Sequence, residues 1–499
     1  MKRALLFLLT YSVLAILAPA SLAFVARATP KVPFGRLMGA TTQTYTPFVI
    51  TPESAPPTRG IIIVDGFSEY HSGYLIDKAI HDYNVGVVRV LSPYMTAGFQ
   101  KEDAQEDHFQ RTAPLDSPEL EAWLQSIPFP IDAILCESDS GLDYAEQLAC
   151  AMCQNGKKSQ LKHNGYLEAR RDKFQMNEVC RSKGIPTVQQ ALCSTTEEAT
   201  EQAFGLGSVI IKPRRGVASD RVALCRTMQD IQVATSSVLD STVFGTYDIH
   251  HDTVLLQEYV DGTEYAVDVV SKNGVHKTAA LWVYDKTSTS EDGTSNPFAY
   301  LSGKLVSADD PDHPRAHDIM DYVDACLTAL EIQWGMSHSE VKINCKGDIR
   351  LIEVNVRQQN DHFGPICSIC VGYNALDLCL SAYLEDDNDD NNLFDCVPSH
   401  PILQRSAMIV NLACFVNGQV SRINHLEEIQ ELESCVAMEV YPGFEVGSTV
   451  KRTKDIRSDC GWVHLVNESE ECMMRDYNMV CRMMQSMFEI VAEERMESL

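Results

Sequence analysis

The stretch "HSEVKINCKGDIRLIEVNVR", residues 338–357, decides how the chain is read. Two apolar runs flank Lys346-Gly347, a pair suited to a two-residue hairpin loop because glycine accepts the backbone that such a turn demands. With Cys345 paired to Asp348, counting outward sets Glu340 opposite Glu353, with His338 and Asn355 on the same face. Val341, Ile343, Ile352 and Val354 then point the other way, into a core. Like charges directly opposite destabilise a sheet, so a cation is expected between the glutamates. Two carboxylates and an amide oxygen form a hard, all-oxygen donor set suited to magnesium, which also accepts phosphate oxygens. For the hairpin alone, a solvated acidic face is the other reading.

The 499 residues can fill about three compact domains. A formal charge of −28, without a basic patch, excludes a nucleic-acid surface and leaves small or cationic partners. Seventeen cysteines, with a C-x-x-C at Cys367 and Cys370 but no zinc spacing, read as mostly buried reduced thiols. The N-terminus points towards the secretory route instead. Lys2 and Arg3, an apolar run from Ala4 to Ala18 and "SLA" before Phe24 have a signal-peptide layout, too short for a comfortable membrane span. Val25-Ala26-Arg27 after that cut resembles the bipartite plastid presequences of algae with secondary plastids; secretion, an endomembrane lumen or an N-terminal anchor stays open.

The sequence divides into a signal-type peptide (1–23), a presequence or linker (24–58), a Rossmann-like domain (59–160), a central region (161–384), an acidic linker (385–401) and a C-terminal domain (402–499). "GIIIVDGFSEYHSGYLIDKAIHDYNVGVVRVLS" has the strand, helix, strand pattern of a parallel sheet, without a G-x-G-x-x-G for a dinucleotide. Asp172 caps a helix that Gly184 and Pro186 stop. "GSVIIKPRRGVASDRV" is a buried strand ending at Lys212, followed by a loop with Gly216 and Ser219, and Glu258 and Glu264 flank a turn at Gly262. The polar segment 287–297 reads as a mobile loop near the site. "EDDNDDNN", 385–392, reads as a solvated linker, lacking the spaced ligands and glycine of a calcium loop. Methionines at helical spacing near the C-terminus read as core. Lys173 and Lys212 can hold phosphate oxygens as point charges, and the amides of the Gly216 to Ser219 loop can cover them.

Lys173, "IIKPRRGVAS", "QEYVDGTEY", "HSEVKIN" and "LIEVNVR", in this order from about Gly60 to the C-terminus, resemble the ATP-grasp superfamily. Within it they resemble the amino-acid ligases that include dipeptide ligases and carnosine synthase. The resemblance implies an α/β and α+β ATP-grasp fold with a Rossmann-like N-terminal domain and an α+β C-terminal domain. It implies Lys173, Lys212, Gly216 and Ser219 at ATP phosphates, Glu258, Tyr259 and Val260 at the adenine, and Glu264 at the ribose. Glu340, Glu353 and Asn355 would hold Mg2+, with Mn2+ an alternative, while Arg357 and Lys212 would serve catalysis. The activity implied is ATP-dependent joining of a small carboxylate to an amine, amino acids in the first place, with no nucleic acid and a homodimer left open. Another acceptor, or a magnesium-ATP-binding protein without catalysis, is the alternative; no biotin-binding lysine motif is visible. Lys173 and Arg357 as ordinary paired cations, and Gly262 as a plain turn, are the bland readings. His338 reads as a neighbour that orients Glu340. Ala218 stands where relatives place glycine, which implies a stiffer loop. Lys304 stands in the pocket segment, to hold a second carboxylate or to face solvent.

Overall fold

The computed structural model describes residues 49–98, 113–154, 161–287, 299–359, 364–385 and 392–491, except 54, 67, 68 and 116. The signal-type peptide, most of the presequence, the polar loop from 288 and the acidic run 386–391 lie outside the described residues. Ile61, Ile62, Ile63 and Val64 have no exposed surface, as a strand covered on both faces requires. Each such burial contributes about 1.5–3 kcal/mol. Gly60–Val64 runs parallel to Gly86–Val90 and Ile131–Cys136, with Val49–Ile50 antiparallel at the edge. The helices Tyr74–His81 and Leu142–Gln154 pack around this layer.

A second sheet is antiparallel, in the order Gln190–Cys193, Val254–Glu258, Val209–Lys212, Ala223–Cys225. Val209, Ile211, Val254 and Leu256 meet the helices Thr196–Gln202 and Met228–Leu239 in a separate core. Thr195 caps the first helix, and a reciprocal Thr227–Asp230 capping box starts the second. Because strand side chains alternate, Lys212 follows Ile211 out of that core to the opposite face.

The largest sheet has eight antiparallel strands: Ile349–Asn355, Gly335–Asn344, Gly262–Lys272, Val275–Thr287, Ala299–Leu305, Ser406–Leu412, Gly461–Asn467 and Cys435–Val440. It crosses the expected boundary at 402: Ala299–Leu305 pairs directly with Ser406–Leu412, so the last hundred residues extend the same sheet. One face packs Ala266, Ala280 and Trp282 against the helix Ala375–Leu384. The other packs Val267, Leu281, Val341, Leu351 and Val354 against the helices Ala316–Ala329 and Lys173–Ser182. The C-terminal helix Glu470–Met484 buries Met473, Val480 and Met484, so these methionines are core. Among the described residues no helix is long and apolar enough to cross a membrane.

Candidate active site

The hairpin holds Glu340 opposite Glu353 and His338 opposite Asn355. The route to that register differs from the two-residue loop. Asn344 N donates to Asp348 O (3.1 Å), and the Asn344 Oδ1 accepts from the amides of Lys346 and Asp348 (2.9 Å each), so the loop is Cys345-Lys346-Gly347. A bulge then puts Val341 opposite Leu351, and Ile352 is the extra residue. Leu351, fully buried, takes the core position expected of Ile352. The longer turn and the bulge cancel, which restores the facing glutamates. Gly262 is required beside this hairpin: at φ +157°, a Cβ there would lie 1.9 Å from Ile343 O.

Cations of the chain meet the two acids. Asp172 caps the helix Lys173–Ser182, accepting from Phe174 N and Gln175 N (3.0 Å each), which fixes Lys173 at its first position. Lys173 Nζ lies 2.9 Å from Glu353 Oε2 and donates to Gly216 O at 3.0 Å, so it joins the hairpin to the loop after Lys212. Burial pushes the Lys212 ammonium down to about 8, with Lys173 adding to the shift against the pull of Glu353, Glu340 and Glu264. Burial alone would raise the Glu353 carboxyl, but Lys173 and Lys212 outweigh it and hold that group well below the usual carboxylate range. The loop is strained: Ala218 and Ser219 both adopt left-handed backbone, φ 48° and 55°. It is anchored by Arg214 to Asp172 (2.6 Å) and by Arg215 to Asp143 (2.9 Å) and Glu168 (3.1 Å).

Two acids that the sequence reading did not assign, Asp139 and Asp268, join the site. Asp139, on the loop after Ile131–Cys136, accepts from Arg357 Nη2 at 2.7 Å and pairs with Arg171 at 3.3 Å. Burial disfavours its charge, but Arg357 and Arg171 prevail and lower its pKa. Asp268 takes His338 Nδ1 at 3.0 Å and the Trp282 indole at 3.0 Å, leaving His338 Nε2 3.6 Å from Glu340. Burial works against the His338 charge, yet Asp268 and Glu340 push its pKa up to about 9. His338 thus stands between Asp268 and Glu340, next to the glutamate that it is expected to orient. Asp268 had a sequence signal, a lone acid inside the apolar run "YAVDVV".

The residues expected at the adenine and ribose are partly engaged by the protein itself. Glu258 N donates to Gln189 O (2.9 Å) and Tyr259 N to Ser208 O (3.0 Å), while the Glu258 carboxylate accepts from Gln189 N (3.1 Å). Val260 O accepts from Lys342 Nζ at 3.2 Å. Glu264, buried, pairs with Lys286 and, at 3.8 Å, with Lys342. Lys304 neither faces solvent nor stands free for a substrate carboxylate: it pairs with Glu470 of the C-terminal helix and lies 3.7 Å from Asp310. Cys367 and Cys370 are buried, with burial pushing the Cys370 thiol up to about 12. Cys150 and Cys153 form a second C-x-x-C, and the Cys153 Sγ is 3.2 Å from His163 Nε2.

The oxygen donors suit magnesium. Asn355 Nδ2 donates to Glu353 Oε1 at 2.9 Å, which leaves the amide oxygen as the free acceptor beside two facing carboxylates.

A family model described as an ATP-grasp domain matches residues 207–367, the span from the second sheet through the hairpin. That span is matched as an ATP-grasp domain, the superfamily that the sequence motifs resemble. Among solved structures, the chain is similar to an L-amino acid ligase from Bacillus licheniformis, at TM-score 0.64 and 15% identity over 88% of this chain and 100% of that one. It is similar to a carboxyaminoimidazole ribonucleotide synthase from Aspergillus clavatus in complex with ATP, at TM-score 0.56 and 14% identity over 86% and 99%. A biotin carboxylase from Campylobacter jejuni follows, at TM-score 0.54 and 14% identity over 87% and 92%. At these identities the likeness is one of fold. No curated protein matches the chain significantly.

Proposed function

We propose that the chain is an ATP-dependent carboxylate–amine ligase that joins two small molecules, amino acids in the first place, through an acyl-phosphate. The observation that carries this reading is the buried pair Lys173 and Lys212 set against the facing carboxylates of the hairpin, a charge arrangement suited to a polyphosphate and a divalent cation. The donor set Glu340, Glu353 and Asn355 would hold Mg2+, with Mn2+ an alternative; the ion would supply Lewis-acid neutralisation of phosphate charge.

A carboxylate oxygen attacks the γ-phosphorus, the bond to the β-phosphate oxygen breaks, and ADP leaves with that electron pair. Lys173, Lys212 and the Gly216 to Ser219 amides hold the phosphoryl oxygens, while Glu258, Tyr259, Val260 and Glu264 form the base and ribose wall. The amine nitrogen then attacks the acyl carbon, phosphate departs, and the amine proton passes to solvent. Arg357, held by Asp139, steadies the anionic oxygens of the acyl-phosphate and tetrahedral intermediate. The fold likeness to an L-amino acid ligase supports amino acids as substrates.

Glu353→Gln keeps the side-chain volume and removes the charge. Substrate-dependent ADP release across amino-acid pairs should fall at least about 100-fold. An unchanged rate overturns the assignment, and ADP release that needs bicarbonate in place of an amine moves the reaction to the carboxylase kind.

A further inference from the structure

A second constellation lies outside this site, where the segment entering the strand Ser406–Leu412 crosses the helix Ala316–Ala329. His317, Asp321 and Asp324 recur at helical spacing and so share a face of that helix. His400 meets them from a segment pinned on both sides: Thr278 N donates to Ser399 O (2.8 Å) and Ala308 N to Pro401 O (3.0 Å). Ligand atoms of Asp321, Asp324 and His400 all lie within 4.8 Å of one another.

Three features separate this cluster from a solvated acidic face. The His400 and His317 Nδ1 atoms are 2.8 Å apart, so one ring must donate; a donating His400 turns the lone pair of its Nε2 towards Asp321. That Nε2 is 3.5 Å from Asp321 Oδ1, too long for a charge-assisted hydrogen bond. It matches the separation, about 3.4 Å, between two donors on one tetrahedral ion with bonds near 2.0–2.1 Å. Asp324 Oδ1 is buried and has no hydrogen-bond partner among the described residues, the costly state that a cation relieves.

We propose that Asp321, Asp324 and His400 bind one divalent transition-metal ion of the zinc type, with His317 as the hydrogen-bonded partner that orients His400. One imidazole and two carboxylates favour zinc over magnesium, which prefers oxygen alone. Asp321, whose side chain is 70% exposed, leaves room for water as the fourth ligand. The ion staples the chain segment between the catalytic strands and the C-terminal strands to the helix. The inference does not depend on the ligase reading, since no residue is shared with that site.

The test uses the full chain, stripped with chelator and then titrated with Zn2+ alone by calorimetry in saturating Mg2+, which occupies all-oxygen sites. One equivalent should bind. Asp321→Asn, at an exposed position that cannot disturb packing, and His400→Gln should remove it. His317→Ala should weaken it roughly 10–100-fold. Co2+ should give d–d bands without thiolate charge transfer. No zinc binding, equal binding in wild type and Asp321→Asn, or thiolate bands that place the ion on cysteine would each overturn the proposal.

Discussion

Replacing Lys212 by methionine separates a lysine kept for a ligand from one kept for the fold. The side chain is 4% exposed, and its pKa falls from 10.5 to about 8. A fall of that size withholds roughly 3 kcal/mol of stability while the ammonium is charged. The folded pKa lies below the unfolded one, so folding favours the neutral form. The penalty is therefore complete below pH 8 and fades as pH rises from about 8 towards 10.5. Methionine fills similar space without the charge, and Glu353 keeps its 2.9 Å contact with Lys173. At pH 7 the nucleotide-free variant should be no less stable than wild type, with a gain of up to about 3 kcal/mol in denaturant unfolding. Its MgATP affinity, read by calorimetry, should fall about 10–100-fold, the value of one or two charge-assisted contacts. Wild-type affinity should also weaken as pH passes about 8, and the variant should not follow. A variant that loses several kcal/mol yet binds MgATP as tightly as wild type refutes the reasoning and makes Lys212 structural.

Asp139→Asn leaves Arg357 and Arg171 facing a neutral amide, so unfolding should become easier by about 3–5 kcal/mol in a urea melt. Its kcat should fall further than its KM for ATP rises, because Arg357 meets the acyl-phosphate rather than the base. Ala218→Gly removes the cost of a left-handed alanine at φ 48° and should raise stability by about 1 kcal/mol, seen as a higher Tm.

Alternation of side chains made the acidic hairpin legible, and the lysine that closes an apolar strand was legible for the same reason. The details of the turn were not. Asn344 closes the loop with its own side-chain oxygen, a local hydrogen bond that competes with the two-residue hairpin and shifts the count by one. The bulge at Ile352 answers that shift because only one register buries Leu351 and Val354 together. Asp139 was out of reach for a different reason: it lies 218 residues before Arg357, and no periodicity links a loop of the parallel sheet to the end of the hairpin. Lys304 is the same case, 166 residues before its partner Glu470, so a residue read as holding a second carboxylate or facing solvent is instead paired with the C-terminal helix.

Lys173 raises one more consequence. Its ammonium is divided between Glu353 at 2.9 Å and Gly216 O at 3.0 Å, so it is spent on the protein's own oxygens. A phosphate arriving without a counter-ion would compete with Glu353 for Lys173 while lying beside Glu340, and both effects oppose binding. A divalent cation on the hairpin oxygens removes both: it takes over the charge of Glu353 and frees Lys173 for the phosphates. Nucleotide and metal should therefore bind cooperatively, with a coupling on the order of 1–3 kcal/mol. Calorimetry should show ATP affinity about 5–150-fold weaker in EDTA than in Mg2+. Glu353→Gln, which lightens the competition, should narrow that gap, chiefly by strengthening metal-free ATP binding. If wild-type affinity is the same with and without Mg2+, the hairpin carboxylates do not share the phosphate site, and Lys173 is only the counter-ion of Glu353.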